Sequence, residues 1–535
     1  MARFYIENFG CRATQADGAA LERQFLERGL ERAGAARDAE IVVLNTCTVT
    51  EGADKDARAS IRRLQRENPD CRILVTGCYA QRAPEELARM PGVTWVVGNS
   101  HKHRAAEIAL PSSSSNGFVS LAQLSRDATE IQHNRKERDC VGHPSDGVGY
   151  ASDGVGYAEI VVGDIFAHTE LLAAPVFEAA HARTRPNLKV QDGCDNRCSF
   201  CVIPYVRGQS RSLPMERVIG EVRALVEAGY REVVISGINL GRWGRDLQSV
   251  VGRSSLVVGE PGASSDAIPL RNHERPTTND QRLVDLIHAI LHRTSLEKLR
   301  ISSVEPMDWS DELIGLVAES PRIAKHAHVP LQSGSDAVLR RMHRKYRPWH
   351  YREKILKIRS AMPNAAIGAD VMVGFPGETD AEFAETRRMV EELPFTYLHV
   401  FTYSARPGTP AAAQSGQVPV ALARERNREL REIAGAKKRA FAQSLVGSTV
   451  EAITLHARGT NFTEALTDNY LKMRVSGELE ANRWWRVRVE GTDGETLLGR
   501  NAISSGVEGS RTGMSALHSQ PTEVTRKYSE VGSGH

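Results

Sequence analysis

The chain has few cysteines, no long apolar run and little net charge, and each shortage excludes a class of protein. Eight cysteines in 535 residues are too few for a disulfide framework, which indicates a reducing compartment. No apolar stretch reaches the roughly 18 to 20 residues that cross a bilayer. The start, MARFYIENFG, lacks the charged and apolar regions of a signal peptide, so we expect a cytoplasmic protein without a membrane anchor. A net charge of +3 is too small to indicate a nucleic-acid partner by itself.

Three of the cysteines lie together in the segment CDNRCSFC, at Cys194, Cys198 and Cys201. Three thiolates in a C-x3-C-x2-C loop can bind three irons of a [4Fe–4S] cluster and leave the fourth iron open to a small molecule. A structural zinc site normally needs a fourth cysteine or histidine at short spacing, and no residue through Gln209 supplies one. The spacing therefore favours a reactive iron–sulfur cluster, with zinc as the alternative.

The first hundred residues alternate strand and helix patterns. Apolar strand candidates are Phe4–Phe9, Glu40–Asn45 and Cys71–Thr76, and the segment Ala19–Gly34 has helical spacing. This order predicts a doubly wound parallel α/β domain over residues 1–105.

Cys11, Cys47 and Cys78 each follow the carboxyl end of one of these strands. In a parallel sheet those ends share one edge, where such folds bind their ligands. The three thiols are therefore predicted to converge on a second three-cysteine cluster site. The alternative is that they pack at the strand ends as small apolar side chains. Cys71 begins the third strand, about seven residues and so roughly 20 Å from Cys78, and is predicted to be structural.

Two segments and the tail break the pattern. Residues 106–185 contain PSSSSNG and a tandem SDGVGY repeat, and are predicted to be an irregular insertion in which Cys140 is incidental. A second loop insertion is predicted at about 246–280, which is rich in Ser, Gly, Pro and Asn. The polar tail at 504–535 is predicted to be disordered.

A β/α rhythm fills residues 186–443 around the second insertion. Its six units predict an incomplete (β/α)6 barrel, whose active site would lie at the carboxyl ends of the strands. Helical patterns include Met215–Ala228 and Asp380–Glu392. The strand candidates are Leu188–Asp192, Glu232–Ser236, Lys298–Ser303, His326–Leu331, Ala366–Val373 and Tyr397–Tyr403.

Glycine and polar residues that suit a nucleoside amino acid follow these strands. Glycine lets the backbone approach a ligand closely, while Asn, Ser, Gln and Glu side chains can bond its ribose, amine and carboxylate. Taken singly, each segment is more often a turn than a site, but their shared edge makes them joint candidates. The candidate ligand-binding residues are Phe200, beside the third cysteine, and Gly237, Asn239, Ser303, Glu305, Gln332, Ser333 and Gly374.

Residues 444–503 have short alternating runs separated by Gly and Asn turns, which predict a small all-β barrel with strands at Thr449–Leu455, Leu471–Val475 and Trp485–Val489. Small barrels with exposed aromatic and basic residues often bind RNA, although a solvated strand face is the alternative. The run Arg340–Arg347, RRMHRKYR, has no acidic residue and is the best candidate for phosphate contacts. The candidate RNA-binding residues of the barrel are Tyr470, Lys472, Arg474, Arg486 and Arg488.

Several motifs together carry a family resemblance: the N-terminal cysteine triplet, GCDNRCSFCVIPYVRG, HVPLQSGSDAVLRRM, DVMVGFPGETDAEF, FTYSARPGTPAA and ALTDNYLKM. With them the chain resembles the radical S-adenosylmethionine (SAM) methylthiotransferases, and ALTDNYLKM falls in what looks like an RNA-binding TRAM domain. The resemblance implies SAM and two [4Fe–4S] clusters as cofactors, tRNA as a partner, an electron donor such as flavodoxin or ferredoxin, and a monomer.

Within that family, VIPYVRGQSRS, SGINLGRWG, LRISSVEP and MHRKY most resemble the branch that modifies N6-threonylcarbamoyladenosine at position 37 of tRNA. The resemblance implies that the C-x3-C-x2-C cluster cleaves SAM to a 5′-deoxyadenosyl radical, and that the N-terminal cluster delivers a methylthio group to C2 of the adenine. Arg207 is a candidate partner for the substrate carboxylate, with a structural salt bridge as the alternative. Alternatives for the function are methylthiolation of isopentenyladenosine-37 or of a ribosomal-protein aspartate, and a tRNA-binding iron–sulfur protein without catalysis.

Overall fold

The computed structural model of the chain describes residues 2–110, 158–168, 171, 185–247, 282–455 and 461–502. An N-terminal parallel sheet, a central open barrel and a C-terminal closed barrel follow one another along these residues. None of the described helices combines the length and the apolar character that a bilayer span requires. Cys140, the SDGVGY repeat, the tail at 504–535 and most of the loop at about 246–280 lie outside the described residues.

Strands and helices alternate through the N-terminal unit. The strands are β1 (Arg3–Asn8), β2 (Glu31–Arg32), β3 (Ile41–Thr46), β4 (Arg72–Gly77), β5 (Val93–Gly98) and β6 (Glu159–Val161). The helices are α1 (Arg12–Glu27), α2 (Glu51–Glu67), α3 (Cys78–Arg82), α4 (Pro84–Ala88) and α5 (Ala105–Ala109). All neighbouring strands pair in parallel, in the order β2-β1-β3-β4-β5-β6.

Helices cover both faces of this sheet, as the doubly wound prediction requires. Side chains of α1 and α5 pack on one face, and side chains of α2, α3 and α4 pack on the other. Strand β3, with the sequence IVVLNT, is consequently buried along its whole length. The carboxyl ends of β1, β3 and β4 therefore lie at one edge of a rigid layer.

Two details of the N-terminal unit correct the sequence prediction. Helix α1 begins at Arg12, well before Ala19, and it ends at Glu27, where the amide of Leu30 turns back to the carbonyl of Phe25. Part of the segment that was predicted to be an irregular insertion is β6, which extends the sheet by pairing with β5. The strand has only three residues, Glu-Ile-Val, and so short a segment shows no recognisable alternating pattern.

The central unit contains the six predicted parallel strands and one further short strand. The strands are β7 (Asn187–Asp192), β8 (Arg211–Ser212), β9 (Glu232–Gly237), β10 (Lys298–Ile301), β11 (His326–His328), β12 (Ala366–Val373) and β13 (Tyr397–Thr402). The helices are α6 (Ile203–Arg207), α7 (Met215–Glu227), α8 (Leu283–Arg293), α9 (Asp311–Glu319), α10 (Asp336–Arg341), α11 (Pro348–Ala361), α12 (Asp380–Glu392) and α13 (Val420–Ser444).

These strands form a barrel that does not close. Strands β7, β9 and β10 pair in parallel, as do β11, β12 and β13, and parallel bridges from Leu299 to Ile323 and from Ser303 to His328 connect the two groups. The short strand β8 pairs antiparallel with β7. The prediction of an incomplete (β/α)6 barrel is confirmed, and its strands leave an opening between β7 and β13.

The C-terminal unit is a closed barrel of five strands in the order β14-β15-β16-β18-β17. The strands are β14 (Thr449–Thr454), β15 (Phe462–Thr467), β16 (Lys472–Ser476), β17 (Trp484–Asp493) and β18 (Thr496–Asn501). The predicted small barrel is confirmed, although β15 and β18 were not among the strand candidates. The turn between β15 and β16 docks on the amino end of the central barrel, where Arg300 donates to the carbonyl of Asp468 at 2.9 Å and Asn469 donates to that of Asn364 at 3.0 Å.

Candidate functional site

The C-x3-C-x2-C loop follows β7 and is fixed at both ends. Gly193 has a φ of +70°, and a Cβ there would lie 1.8 Å from the carbonyl oxygen of Gln209, so only glycine fits before Cys194. In the middle of the loop, Ser199 donates its amide to the carbonyl of Met342 at 3.1 Å and its hydroxyl to that of Arg341 at 2.7 Å. The loop is therefore held against the segment that follows helix α10.

Hydrogen-bond donors surround the sulfur atoms of this loop. Cys194 Sγ accepts from the amide of Asn196 at 3.4 Å and from Asn239 Nδ2 at 3.7 Å, and Cys198 Sγ accepts from Arg344 Nη1 at 3.3 Å. Burial, followed by the nearby Cys198, raises the pKa of the Cys201 thiol to about 12. Thiolates in such a setting need a cation to neutralise them, and hydrogen bonds to sulfur are the usual surroundings of an iron–sulfur cluster. The donor set therefore fits a [4Fe–4S] cluster.

The other three predicted cysteines converge at the carboxyl edge of the N-terminal sheet. Cys11 follows β1, Cys47 follows β3, and Cys78 follows β4 as the first residue of α3. Gly10 is packed on Cys47, because a Cβ on Gly10 would lie 2.5 Å from the Cβ of that cysteine. Burial and then the charges of Cys78 and Cys11 raise the pKa of the Cys47 thiol to about 12. Asn8 pairs with Asn45 and Thr46 pairs with Gly77 across neighbouring strands, so the three cysteines that follow lie side by side at this edge.

Polar side chains also lie beside the sulfur atoms of this second site. Thr14 Oγ1 lies 3.5 Å from Cys11 Sγ, and Asn99 Nδ2 donates to Cys78 Sγ at 3.6 Å. Cys47 and Cys78 are buried, whereas Cys11 is exposed. The site therefore has its open side at Cys11.

The two cysteine sites are neighbours. Cys78 packs with Val202 and Val206, which lie in the segment directly after Cys201. Asn99, which donates to Cys78, also donates to the carbonyl of Val206 at 2.7 Å. The two sites therefore lie close together where the N-terminal unit meets the central barrel.

A cleft at the carboxyl ends of the central strands adjoins the first cysteine site. Among its lining residues are all three loop cysteines and five of the predicted ligand-binding residues: Phe200, Asn239, Ser303, Glu305 and Gln332. The side-chain oxygens of Asn239 and Gln332 are buried and have no hydrogen-bond partner among the described residues. Two unpartnered acceptors beside the thiols fit the ammonium group of a nucleoside amino acid such as SAM.

The comparisons with known proteins agree with this geometry. Residues 3–98 match the model described as "Uncharacterized protein family UPF0004", and residues 188–390 match that of the radical SAM superfamily. The threonylcarbamoyladenosine tRNA methylthiotransferase MtaB of Bacillus subtilis (strain 168) is 34% identical over 89% of this chain and 91% of its own length. The chain belongs to the radical-SAM methylthiotransferase family. Membership implies a [4Fe–4S] cluster and SAM as cofactors.

Two further relatives of this methylthiotransferase bear different names. MtaB of Aquifex aeolicus (strain VF5), also a threonylcarbamoyladenosine tRNA methylthiotransferase, is 31% identical over 90% of this chain and 99% of its own length. The tRNA-2-methylthio-N(6)-dimethylallyladenosine synthase of Erythrobacter litoralis (strain HTCC2594) is 31% identical over 84% of this chain and 86% of its own length. Both kinds of relative belong to the same family, and their percentages of sequence identity to this chain are similar.

Three of the predicted ligand-binding residues of the methylthiotransferase do not line the cleft. Ser333 is turned away from it and bonds the hydroxyl of Thr386 on α12 at 3.1 Å. Gly374 donates its amide to Glu378 at 2.7 Å, inside a closed turn. Gly237 packs closely on the side chain of Gln191, since a Cβ there would lie 2.8 Å from Gln191 Oε1. These residues shape the loops around the ligand cleft.

Arg207 is not available to a substrate carboxylate. Its guanidinium is buried and donates to both oxygens of Asp192 at 3.0 Å and to Asp17 Oδ2 at 2.9 Å. Of the two alternatives given for this residue, the structural salt bridge is the one found.

Asp17, which sequence reasoning missed, is the centre of a buried charge network between two units of the methylthiotransferase. It lies on α1, six positions after Cys11, and accepts from Lys102 at 3.0 Å, from Arg207, and from Lys189 on β7. Burial alone would raise its pKa, but Lys102, Lys189 and Arg207 outweigh burial and hold the pKa of Asp17 well below its usual value. Because no local pattern marks a single aspartate on a helix, no sequence signal could have found it.

The basic run Arg340–Arg347 is not the open phosphate-binding surface that its composition predicted. Arg344 is buried and bonds Glu305 and Cys198, and Arg341 donates to Glu382 at 2.9 Å. Arg340 is exposed but pairs with Asp336 at 2.8 Å. Acids therefore pair with Arg340, Arg341 and Arg344, whereas the exposed Lys345 has no ion pair among the described residues. The main contacts of the run support the cysteine loop.

The candidate RNA-binding residues of the C-terminal barrel separate into two groups. Lys472, Arg474, Arg486 and Arg488 are exposed on β16 and β17. Tyr470 is half-buried and points away from them, into the floor of the central barrel, where its ring packs on His326 with 4.9 Å between centroids. Tyr470 was predicted to contact RNA, but its ring is packed in the barrel floor and is not available for that contact.

A polar group that the sequence analysis did not identify as a whole adjoins the cleft of the methylthiotransferase, which its members Ser303 and Asp370 line. His399 Nδ1 and His328 Nε2 lie 3.1 Å and 3.3 Å from Asp370 Oδ1, and Ser303 Oγ lies 2.6 Å from His328 Nδ1. Burial acts to raise the pKa of Asp370, but the two histidines outweigh burial and hold it well below its usual value. The sequence predicts the strands that carry these residues, but it does not predict which side chains of each strand face the interior of the barrel.

Cys71 should be dispensable for both cysteine sites of the methylthiotransferase. It lies in the apolar core immediately before β4, whereas Cys78 lies immediately after that strand, so about 20 Å separates them. We expect Cys71→Ser to keep the full iron content of the reconstituted protein, measured by iron and sulfide analysis under anaerobic conditions. Loss of about half the iron from a folded Cys71→Ser protein would contradict this assignment.

Proposed function

We propose that this methylthiotransferase transfers a methylthio group to C2 of N6-threonylcarbamoyladenosine at position 37 of tRNA. The observation that carries the proposal is that two three-cysteine sites are neighbours and that one of them lines a ligand cleft. The substrate is supported by four relatives, between 30% and 34% identical, that are named threonylcarbamoyladenosine tRNA methylthiotransferases. Relatives named for dimethylallyladenosine match at 31%, so the substrate needs a direct test.

The C-x3-C-x2-C site is assigned to the SAM-binding [4Fe–4S] cluster, and the N-terminal cysteines are assigned to a second one. When bound, the first cluster supplies the electron that cleaves SAM, which yields a radical able to break the unactivated C2–H bond of adenine. The second cluster is supported by three convergent thiols and by the polar groups of Thr14 and Asn99 beside sulfur. Its assigned role is to carry the sulfur that is transferred.

The residues of the cleft have separate tasks in this proposal. The free amide oxygens of Asn239 and Gln332 accept hydrogen bonds from the ammonium of SAM. Arg344 pairs with Glu305 and donates to Cys198 Sγ, which stabilises negative charge on that sulfur. Phe200 packs edge-on against Phe375, with 6.5 Å between centroids, and forms an apolar wall beside the loop.

Lys472, Arg474, Arg486 and Arg488 are assigned to tRNA phosphates. They are exposed on β16 and β17, which β18 separates in the C-terminal barrel, and Arg474 forms an ion pair with the exposed Asp493. Phosphate contacts position a nucleic acid without reading its sequence. Selectivity would then come from the modified base. An electron donor such as flavodoxin or ferredoxin, a monomeric state and a cytoplasmic location complete the proposal.

Two tRNAs that differ at position 37 test the proposed substrate. We expect tRNA bearing N6-threonylcarbamoyladenosine to gain a 2-methylthio group, and tRNA bearing isopentenyladenosine to react at least about a hundredfold more slowly, because a polar pocket is left with unpaired groups by an apolar chain. The assay uses anaerobically reconstituted protein, SAM and a chemical reductant, with nucleoside mass spectrometry as readout. Methylthiolation of the isopentenyl substrate alone would contradict the proposal, and so would 5′-deoxyadenosine formation without product on either tRNA.

A further inference from the structure

The floor of the central barrel is where all three units of the protein meet. Tyr470 enters it from the C-terminal barrel with a φ of +71°, and its ring packs on His326 and on Tyr397, with 4.9 Å and 6.1 Å between centroids. Arg12 reaches the same ring from the N-terminal unit. Its Nη2 donates to the Tyr470 hydroxyl at 3.0 Å, and its guanidinium carbon lies 5.9 Å from the ring centroid.

Both the backbone and the side chain of Arg12 are fixed in this position. It is the first residue of α1 and directly follows the exposed Cys11 of the second cysteine site. Its carbonyl accepts from Asn187 Nδ2 at 2.9 Å, at the start of β7, while Tyr470 holds its guanidinium. A non-glycine residue at positive φ persists only where its surroundings enforce it, which indicates that the turn around Tyr470 holds its side chain in place.

Arg12 differs from the other arginines of this floor because it lacks an acidic partner among the described residues. Arg300 pairs with Glu232, and Arg185 lies 3.9 Å from the same carboxylate. Arg12 has no carboxylate within ion-pair distance among the described residues. Burial, then Arg300, His328 and Arg12, hold the pKa of His326 well below its usual value, so this histidine is neutral. The floor therefore carries more positive than negative charge.

We propose that Arg12 binds the threonine carboxylate of N6-threonylcarbamoyladenosine and that Tyr470 is the positioning residue for its guanidinium. The inference rests on the proposed function. C2 must lie beside the second cysteine site to receive sulfur, and the N6 substituent of the same ring ends in a carboxylate. Arg12 directly follows Cys11 in the chain, and its half-buried guanidinium offers that carboxylate a planar pair of donors. An isopentenyl chain would bury the guanidinium of Arg12 without a hydrogen-bond partner, which would make the free energy of binding less favourable.

The first arm of the test uses the unaltered protein and three anticodon stem-loop RNAs. They differ only at position 37, which is N6-threonylcarbamoyladenosine, its threonine methyl ester or unmodified adenosine. Binding is measured by fluorescence anisotropy with the full, anaerobically reconstituted chain. We expect the acid to bind roughly 10- to 100-fold more tightly than the ester, as for a hydrogen-bonded charge. Equal affinity for acid and ester would overturn the proposal.

The second arm assigns the effect to Arg12. We expect Arg12→Gln to abolish the preference for the acid while leaving the affinity for the unmodified RNA and the iron content unchanged. Arg12→Lys should keep part of the preference. Tyr470→Phe keeps the ring and removes only the hydroxyl, and should reduce the preference several-fold. Arg486→Gln is the matched control, which should weaken binding of all three RNAs equally.

The outcomes separate this inference from the proposed function. A preference that survives intact in Arg12→Gln would overturn the inference, and if that variant lost iron, an unreduced preference in Tyr470→Phe would overturn it equally. In either case, unaltered protein that methylthiolates the threonylcarbamoyl substrate would leave the function standing. Unaltered protein that modifies only isopentenyladenosine would overturn both.

Discussion

Replacing Cys198 with alanine is expected to abolish the cleavage of SAM, whereas replacing Cys47 with alanine is expected to preserve cleavage and abolish the methylthio product. The two residues belong to different three-cysteine sites, which different units of the chain position. Because each [4Fe–4S] cluster contains four irons, the unaltered protein should hold about eight irons per chain and each variant about four. Iron and sulfide analysis, with quantification of 5′-deoxyadenosine and of the methylthiolated nucleoside, measures both effects.

The control for these variants is Cys71→Ser, which changes a cysteine of the same N-terminal sheet outside either site. Product from Cys47→Ala would refute the assignment of the N-terminal site as the sulfur donor. About four irons per chain in the unaltered protein would contradict the proposal of a second cluster. Zinc in place of iron would contradict the proposed redox chemistry. Loss of SAM cleavage in Cys47→Ala would show that the sites are not independent.

The placement of the six cysteines could be predicted from the sequence because it depends on local patterns. Each of Cys11, Cys47 and Cys78 follows a short apolar strand, and parallel strands necessarily bring their carboxyl ends to one edge. The loop around Cys194 is a local spacing motif after the first strand of the barrel. Periodicity and strand order were therefore sufficient to place these residues at the edges where the structure has them.

The partners of charged residues could not be predicted in the same way. The run Arg340–Arg347 contains no acid, yet Arg341 and Arg344 are neutralised by Glu382 and Glu305, which lie about 40 residues away in the chain. Tyr470 looked like an exposed aromatic residue of an RNA-binding barrel, but its turn docks on a different unit. Which charges remain free is decided by how units pack, and no one-dimensional pattern records that packing.

Asp17 is the clearest example of a charged residue whose partners the sequence does not predict. Its removal is expected to cause the largest loss of stability among the changes considered. Its carboxylate is buried between the N-terminal sheet and the central barrel, where it accepts from Lys102, Lys189 and Arg207. Removing one partner of a buried ion network leaves uncompensated charge in a low-dielectric interior, which costs about 3 to 5 kcal/mol. Since the pKa of Asp17 is lowered on folding, its contribution is present above the unfolded pKa of roughly 3.9 and is lost only as the pH falls below that range.

We therefore expect Asp17→Ala to lower the free energy of unfolding by about 3 to 5 kcal/mol at neutral pH, measured by denaturant or thermal unfolding of anaerobically reconstituted protein. Glu107→Ala is the matched control, because Glu107 pairs with Arg104 on the exposed surface of the same unit and should change little. Iron should fall at both cysteine sites together, since Lys189 and Arg207 connect Asp17 to Asp192, two residues before Cys194. An Asp17→Ala protein as stable as Glu107→Ala, with full iron at both sites, would show that the network does not hold the two units together.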